Sequence, residues 1–95
     1  MGYLHYGENL SIGFGDRELT HLRTVILGKF NLQESLAFSW VADGSQHSIW
    51  LHPGIPLHFE FDSEVTPEIN GAWVEQLLAH ANSPTGLRLV EEPKH

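Results

Sequence analysis

The sequence predicts an α+β domain: a mostly antiparallel sheet with two helices packed on one face, in the order ββαβββαβ. Three observations carry that prediction. Short runs alternate apolar and polar residues with the period of two that marks a half-buried strand. Two longer segments repeat apolar residues every three or four positions, as an amphipathic helix does. Two helical stripes then need one apolar surface, and an antiparallel sheet with a single wet face supplies it.

Tyr3 to Tyr6 makes a first short strand, closed by Gly7 and the turn-like Glu8-Asn9. In LSIGFG, Leu10, Ile12 and Phe14 alternate with Ser11 and Gly13, completing a hairpin. Gly13-Phe14-Gly15 lacks the further Gly and the Lys-Ser/Thr of a phosphate loop and serves to turn the strand into a helix. The helix is expected over Asp16 to Asn31. Asp16 stands at the N-cap position, and Glu18 lies at the positive end of the dipole. Leu19, Leu22, Ile26 and Phe30 form its apolar stripe with Val25 at the margin, and Asn31 suits the left-handed conformation that ends a helix.

ESLAFSWVADGSQHSIWLHP predicts a second hairpin in which 36 meets 51, 38 meets 49 and 40 meets 47, leaving residues 42 to 45 as the turn. Pro53 to Pro56 makes the next turn. Leu57, Phe59 and Phe61 continue the buried face, while His58, Glu60 and Asp62 point away. Thr66-Pro67-Glu68 reads as a helix start: a capping hydroxyl, Pro at the first helical position, then an acid. Ile69, Ala72, Trp73, Leu77, His80 and Ala81 define that helix's stripe with Leu78 beside it, and Asn82-Ser83-Pro84 stops it. Gly86 to Val90 is a last strand, and Glu91 to His95 a charged tail expected to fray.

A chain of 95 residues fits one domain spanning 1–95. Five Lys and Arg against twelve Asp and Glu give a formal charge of −7, and the basic residues are scattered. Direct nucleic-acid binding needs a basic stripe that displaces counterions from phosphates, so it is not expected, and neither is attachment to anionic lipid. The absence of cysteine removes disulfides, thiolate metal sites and cysteine nucleophiles. No long apolar run and no basic-then-apolar start is present, so a cytoplasmic location is expected.

Register focuses attention on SIWLHPGIPLHFEF. If Leu51 faces Phe59 across a Pro-Gly-Ile-Pro tip, His52 lies opposite His58 and Trp50 opposite Glu60. Two imidazoles about 5 Å apart at Cβ with a carboxylate close by are metal-ligand types, so His52, His58 and Glu60 are weak metal candidates. No longer ligand motif supports them, no cofactor is implied, and no catalytic motif accompanies the histidines. A solvated sheet face needs polar residues anyway. Trp50 is the sharper anomaly. On the polar face its indole either packs under a terminus or against Ala37, or it anchors a contact. Trp40 and Trp73 belong to the core, and Glu60, Asp62, Glu64 and Glu68 to a solvated edge.

The stretches MGYLHYG, LTHLRTVILGKF, FSW, SIWLHPGIPLHFEF and ANSPTGLRLVEEP resemble, over nearly the whole chain, a family of small actinobacterial proteins of unknown function. Its members often carry the label "ATP-dependent DNA ligase". A ligase forms its adenylate on the lysine of K-x-D-G. Here Lys29 precedes Phe30-Asn31-Leu32, and Lys94 is penultimate. The resemblance therefore implies at most an accessory association with DNA ligation or repair. The residues themselves point to a non-enzymatic protein-interaction module, self-associating as a homodimer or binding another protein, with Trp50, His52, His58 and Glu60 as its binding surface. A metal- or small-ligand-binding protein is the second reading.

Overall fold

The computed structural model describes residues 1–94. Six strands and two helices follow in the expected order: β1 (Gly2–Tyr6), β2 (Leu10–Phe14), α1 (Asp16–Asn31), β3 (Leu36–Ala42), β4 (Ser45–Leu51), β5 (Leu57–Glu60), α2 (Gly71–Ala81) and β6 (Leu87–Arg88). The fold is α+β. The strands make two three-stranded sheets, β2-β1-β5 and β4-β3-β6, where one sheet was expected. The second is mixed, because β6 runs parallel to β3. Helix α1 packs against β1, α2 against β3 and β6, and the helices against each other. The sheets and helices share one apolar core, in which Leu4, Leu19, Leu22, Ile26, Phe38 and Leu77 are fully enclosed. Each such side chain contributes about 1.5–3 kcal/mol by leaving water.

The β3–β4 hairpin has the predicted register, Leu36 facing Leu51, Phe38 facing Ile49 and Trp40 facing His47. Asp43 and Gly44 both adopt positive φ, 52° and 77°. A two-residue loop of that kind matches the twist of the flanking strands.

The β4–β5 hairpin expected around Pro53–Pro56 does not form. Strand β5 pairs with β1, placing Phe59 opposite Leu4 and Leu57 opposite Tyr6. Consecutive strands pair only about two times in three, so a long-range partner is not unusual. Pro53, beside the tip, also has no N–H to give to a ladder. The link folds instead on itself: Ile55 N–H donates to His52 O at 3.1 Å, and Gly7 N–H to Pro56 O at 2.9 Å.

Helix ends shift from their expected positions. Gly15, not Asp16, is the N-cap of α1, and Glu18 Oε1 accepts from the Gly15 N–H at 2.9 Å. Beyond Asn31 the chain closes with Gln33 N–H donating to Phe30 O and Glu34 N–H to Lys29 O. This is a Schellman closure, and its left-handed residue is Gln33, φ 60°, instead of Asn31.

Helix α2 starts at Gly71 with Asn70 as N-cap, so Thr66-Pro67-Glu68 lies outside it. Trp73, Leu77 and Ala81 are its buried stripe, and Ile69 stays exposed. Asn70 prevails as the cap because both ends of its amide are used. Its Oδ1 accepts from the Ala72 and Trp73 N–H groups, and its Nδ2 donates to Glu92 Oε2 (3.0 Å) and Pro93 O (2.9 Å).

The tail expected to fray from Glu91 is thereby held. Arg17 Nε donates to Glu92 Oε1 at 2.7 Å, Arg17 Nη2 pairs with the second carboxylate oxygen, and Trp73 Nε1 donates to Val90 O at 3.0 Å. His95 lies outside the described residues.

Candidate functional site

Strand phasing is as expected: Leu51 is buried, Leu57, Phe59 and Phe61 are half-buried, and Trp50, His52, His58 and Glu60 are exposed. The split into two sheets divides that set. Trp50 stands on the outer face of β4-β3-β6, whereas His58 and Glu60 stand on the outer face of β2-β1-β5.

On the β2-β1-β5 face the cross-strand neighbour of His58 is His5, not His52, with ring centroids 5.3 Å apart. Residue 60 faces Tyr3 instead of Trp50. His5 also faces Ser11, and it is the hub of the row: Nδ1 lies 2.7 Å from Ser11 Oγ and Nε2 2.8 Å from Glu60 Oε1. An ionised carboxylate only accepts, so Nε2 carries a proton, and in the neutral ring Nδ1 accepts from the Ser11 hydroxyl. Tyr3 flanks the row, its ring over Gly13 and stacked on His5 at 6.0 Å.

Hydroxyl, imidazole and carboxylate in series have the order of a catalytic relay. Catalysis also requires donors for a developing oxyanion and a concavity for substrate. Ser11 sits mid-strand on an exposed sheet row, and neither the groove beside Trp40 and Arg88 nor the one beside Arg23 and Phe61 is lined by Ser11, His5, His58 or Glu60. The row works as a polar brace across three strands. It is also no metal trio, because both nitrogens of His5 are engaged. Among the described residues no group of three or more His, Asp and Glu side chains is placed to hold a metal ion. The expected His52–His58–Glu60 cluster is not assembled, since β4 and β5 belong to different sheets.

His52 and Trp50 meet Tyr6 instead. Tyr6 Oη donates to Trp50 O at 3.0 Å and accepts from the His52 N–H at 2.9 Å. One phenol thus ties the end of β4 to β1, leaving the two side chains unrestrained by it. His52 Nδ1 accepts from the Gly54 N–H at 2.9 Å, so this ring serves the turn.

The β4-β3-β6 outer face has another character. Register places Ala37, Ser39 and Val41 of β3 with Gln46, Ser48 and Trp50 of β4 and Arg88 of β6. Trp50 is 61% and Val41 75% exposed. Ala37, directly opposite Trp50, is too small to cover an indole. Ser39 and Ser48 satisfy one another at 2.7 Å. Among the described residues, the strand positions on this face carry no carboxylate.

Sequence reasoning missed two histidines. His5 was hidden because its partners come from strands distant in sequence. His21 is fully buried on α1. Its Nδ1–H donates to Arg17 O at 2.7 Å, its Nε2 accepts from the Asn70 N–H at 2.9 Å, and its ring packs on Trp73 at 4.5 Å. With both nitrogens taken, His21 is a structural joint between α1 and α2. Nearby, the hydrogen bonds from Arg17 and then from Asn70 pull the Glu92 carboxyl down to about 2.

Lys29 is engaged too, pairing with Glu34 at 2.8 Å and donating to Asn82 Oδ1. No helix among the described residues is long and apolar enough to cross a membrane.

The chain belongs to the family described as domain of unknown function (DUF7882), whose family model matches residues 1–92. No curated protein and no solved structure matches it.

Proposed function

We propose that the chain is a cytoplasmic, non-enzymatic interaction module that pairs with a second copy of itself through the outer face of β4-β3-β6. Trp50 is the anchor, and Ala37, Val41 and Ser48 are its surround. The observation that carries this is the exposure of Trp50 and Val41 on one face without a carboxylate, in a chain of net charge −7. Two acidic molecules repel, and they repel least where neither presents an acid. Trp is also the residue type most often found anchoring protein contacts. Strand β4 adds an unprotected edge: it ends the sheet, and SQHSIWL contains neither a charged residue nor proline to deter pairing.

Light scattering across micromolar to millimolar concentrations tests the proposal. The wild type should reach the dimer mass, and Trp50→Ser should remain monomeric with an unchanged circular dichroism spectrum. A wild type that stays monomeric at millimolar concentration sinks the idea, as does a Trp50→Ser variant that keeps the dimer mass.

A further inference from the structure

Strand β6 is only two residues long, while β3 runs for seven. Where β6 stops at Arg88, paired with Ser39, the flank of β3 at Trp40 and Val41 is left without a strand partner. A groove of about 380 Å³ opens there, lined by Gly13 and Phe14 of β2, Ser39, Trp40 and Val41 of β3, Gln46 of β4, Arg88 and Leu89. Its size lies within the range of small-molecule sites, roughly 300–1,000 Å³. A second groove of about 150 Å³, beside Arg23 and Phe61, falls below that range.

The chemistry of the larger groove is specific. Phe14, Trp40, Val41 and Leu89 supply apolar wall, with the Trp40 indole stacked on Phe38 (5.7 Å) and on His47 (5.2 Å). Ser39 and Gln46 supply neutral polar groups. Arg88 is the one charged residue in the lining. Elsewhere Arg17 is paired with Glu92, Lys29 with Glu34, and Arg23 lies over the Phe61 ring at 4.6 Å. Arg88 forms no ion pair with any described residue, although acids outnumber bases twelve to five. A planar fork of donors beside an apolar wall suits a carboxylate attached to a ring or branched chain.

We propose that this groove binds a small organic monocarboxylate with an aromatic or branched apolar body, its carboxylate on Arg88 and its body against Trp40, Phe14 and Leu89. Trp50 does not line the groove, but Ser39, Val41, Gln46 and Arg88 do and also lie on the face proposed for self-association, so the two sites share an edge and ligand binding is read in a chain that cannot pair.

The test uses the full chain carrying Trp50→Ser, which separates failure here from failure of the dimer. Phenylacetate is titrated while amide and indole NMR signals are followed, with phenethylamine and phenylacetamide as cationic and neutral controls. Saturable shifts are expected at Ser39, Trp40, Arg88 and Leu89, with a Kd of about 1 mM or below, a reasonable level for so small a ligand. Both controls should bind at least about tenfold more weakly, and Arg88→Gln should lose about tenfold in phenylacetate affinity. The proposal is overturned by absence of saturation, by shifts centred elsewhere, by controls that bind equally well, or by a folded Arg88→Gln variant that binds undiminished. The neutral control on the unmutated Arg88 keeps the test decisive should Arg88→Gln fold poorly.

Discussion

The two outer faces are each built on three strands, yet they meet water differently. On β2-β1-β5, Ser11, His5 and Glu60 spend their hydrogen-bonding capacity on one another across three strands, and Tyr3 covers Gly13. On β4-β3-β6 only Ser39 and Ser48 do so, and Trp50 and Val41 remain bare. The Ser11–His5–Glu60 row is satisfied within the monomer. The apolar face gains by being covered, since a patch of this kind loses free energy to water until something packs on it. A histidine-rich face therefore drew attention in the sequence for its chemistry, while the face without titratable side chains other than Arg88 carries the stronger case for contact.

Five substitutions break or sharpen that contrast, and the largest effect is expected at the margin of the apolar face. Gly86 has φ 83°, and a Cβ there would come within 2.6 Å of the Ala37 carbonyl oxygen. Gly86→Ala should push β6 off β3 and cost about 3 kcal/mol or more, read as a lowered urea midpoint. It should also disturb Arg88 and the groove while leaving the His5 signals in place.

The next effect lies in the support both faces share. Asn70→Ala removes the α2 cap and the amide that holds Glu92, at a cost of about 2–3 kcal/mol by urea unfolding, with neither face altered. The pH dependence follows from Glu92, whose carboxyl is lowered from 4.5 to about 2 by Arg17 and Asn70. A group depressed in the folded state stabilises fully above its unfolded value and loses that contribution as pH falls through the folded one. The stability gap between wild type and Arg17→Gln should thus be complete at neutral pH, shrink below pH 4.5 and close near pH 2. Urea midpoints at pH 7, 4 and 2.5 measure it.

His5→Ala cuts the brace on the polar face. Because that face is solvated, water replaces the lost partners, and the cost should be about 0.5–1 kcal/mol with no change in mass by light scattering. Trp50→Ser should do the reverse, changing monomer stability by about 0.5 kcal/mol or less while abolishing the proposed self-association. A His5→Ala variant that loses the dimer would exchange the roles of the two faces.

Much of this was legible along the chain. The alternation of Leu36, Phe38 and Trp40 with Ala37 and Ser39 fixed both the β3–β4 register and the outward direction of Trp50, because a pleated strand leaves side chains only two sides. The α1 stripe from Leu19 to Ile26 was equally readable from its spacing. The start of α2 was not. Thr66-Pro67 has the better local signal, and Asn70 outcompetes it only through Glu92 and Pro93, residues that approach from the far end of the chain.

What the sequence determined by itself was periodic and local: which segments are strands, which are helices, and which side of each is apolar. What only the tertiary structure decided was partnership. Strand β5 could extend its ladder onto β4 or onto β1, and the pattern of Leu57 and Phe59 is satisfied by either. Both choices bury the same residues, so hydrophobic alternation cannot distinguish them. Packing of Leu4 and Tyr6 against that strand, with two prolines in the intervening link, sends it to β1, gives His58 the neighbour His5, and leaves Trp50 on a separate face.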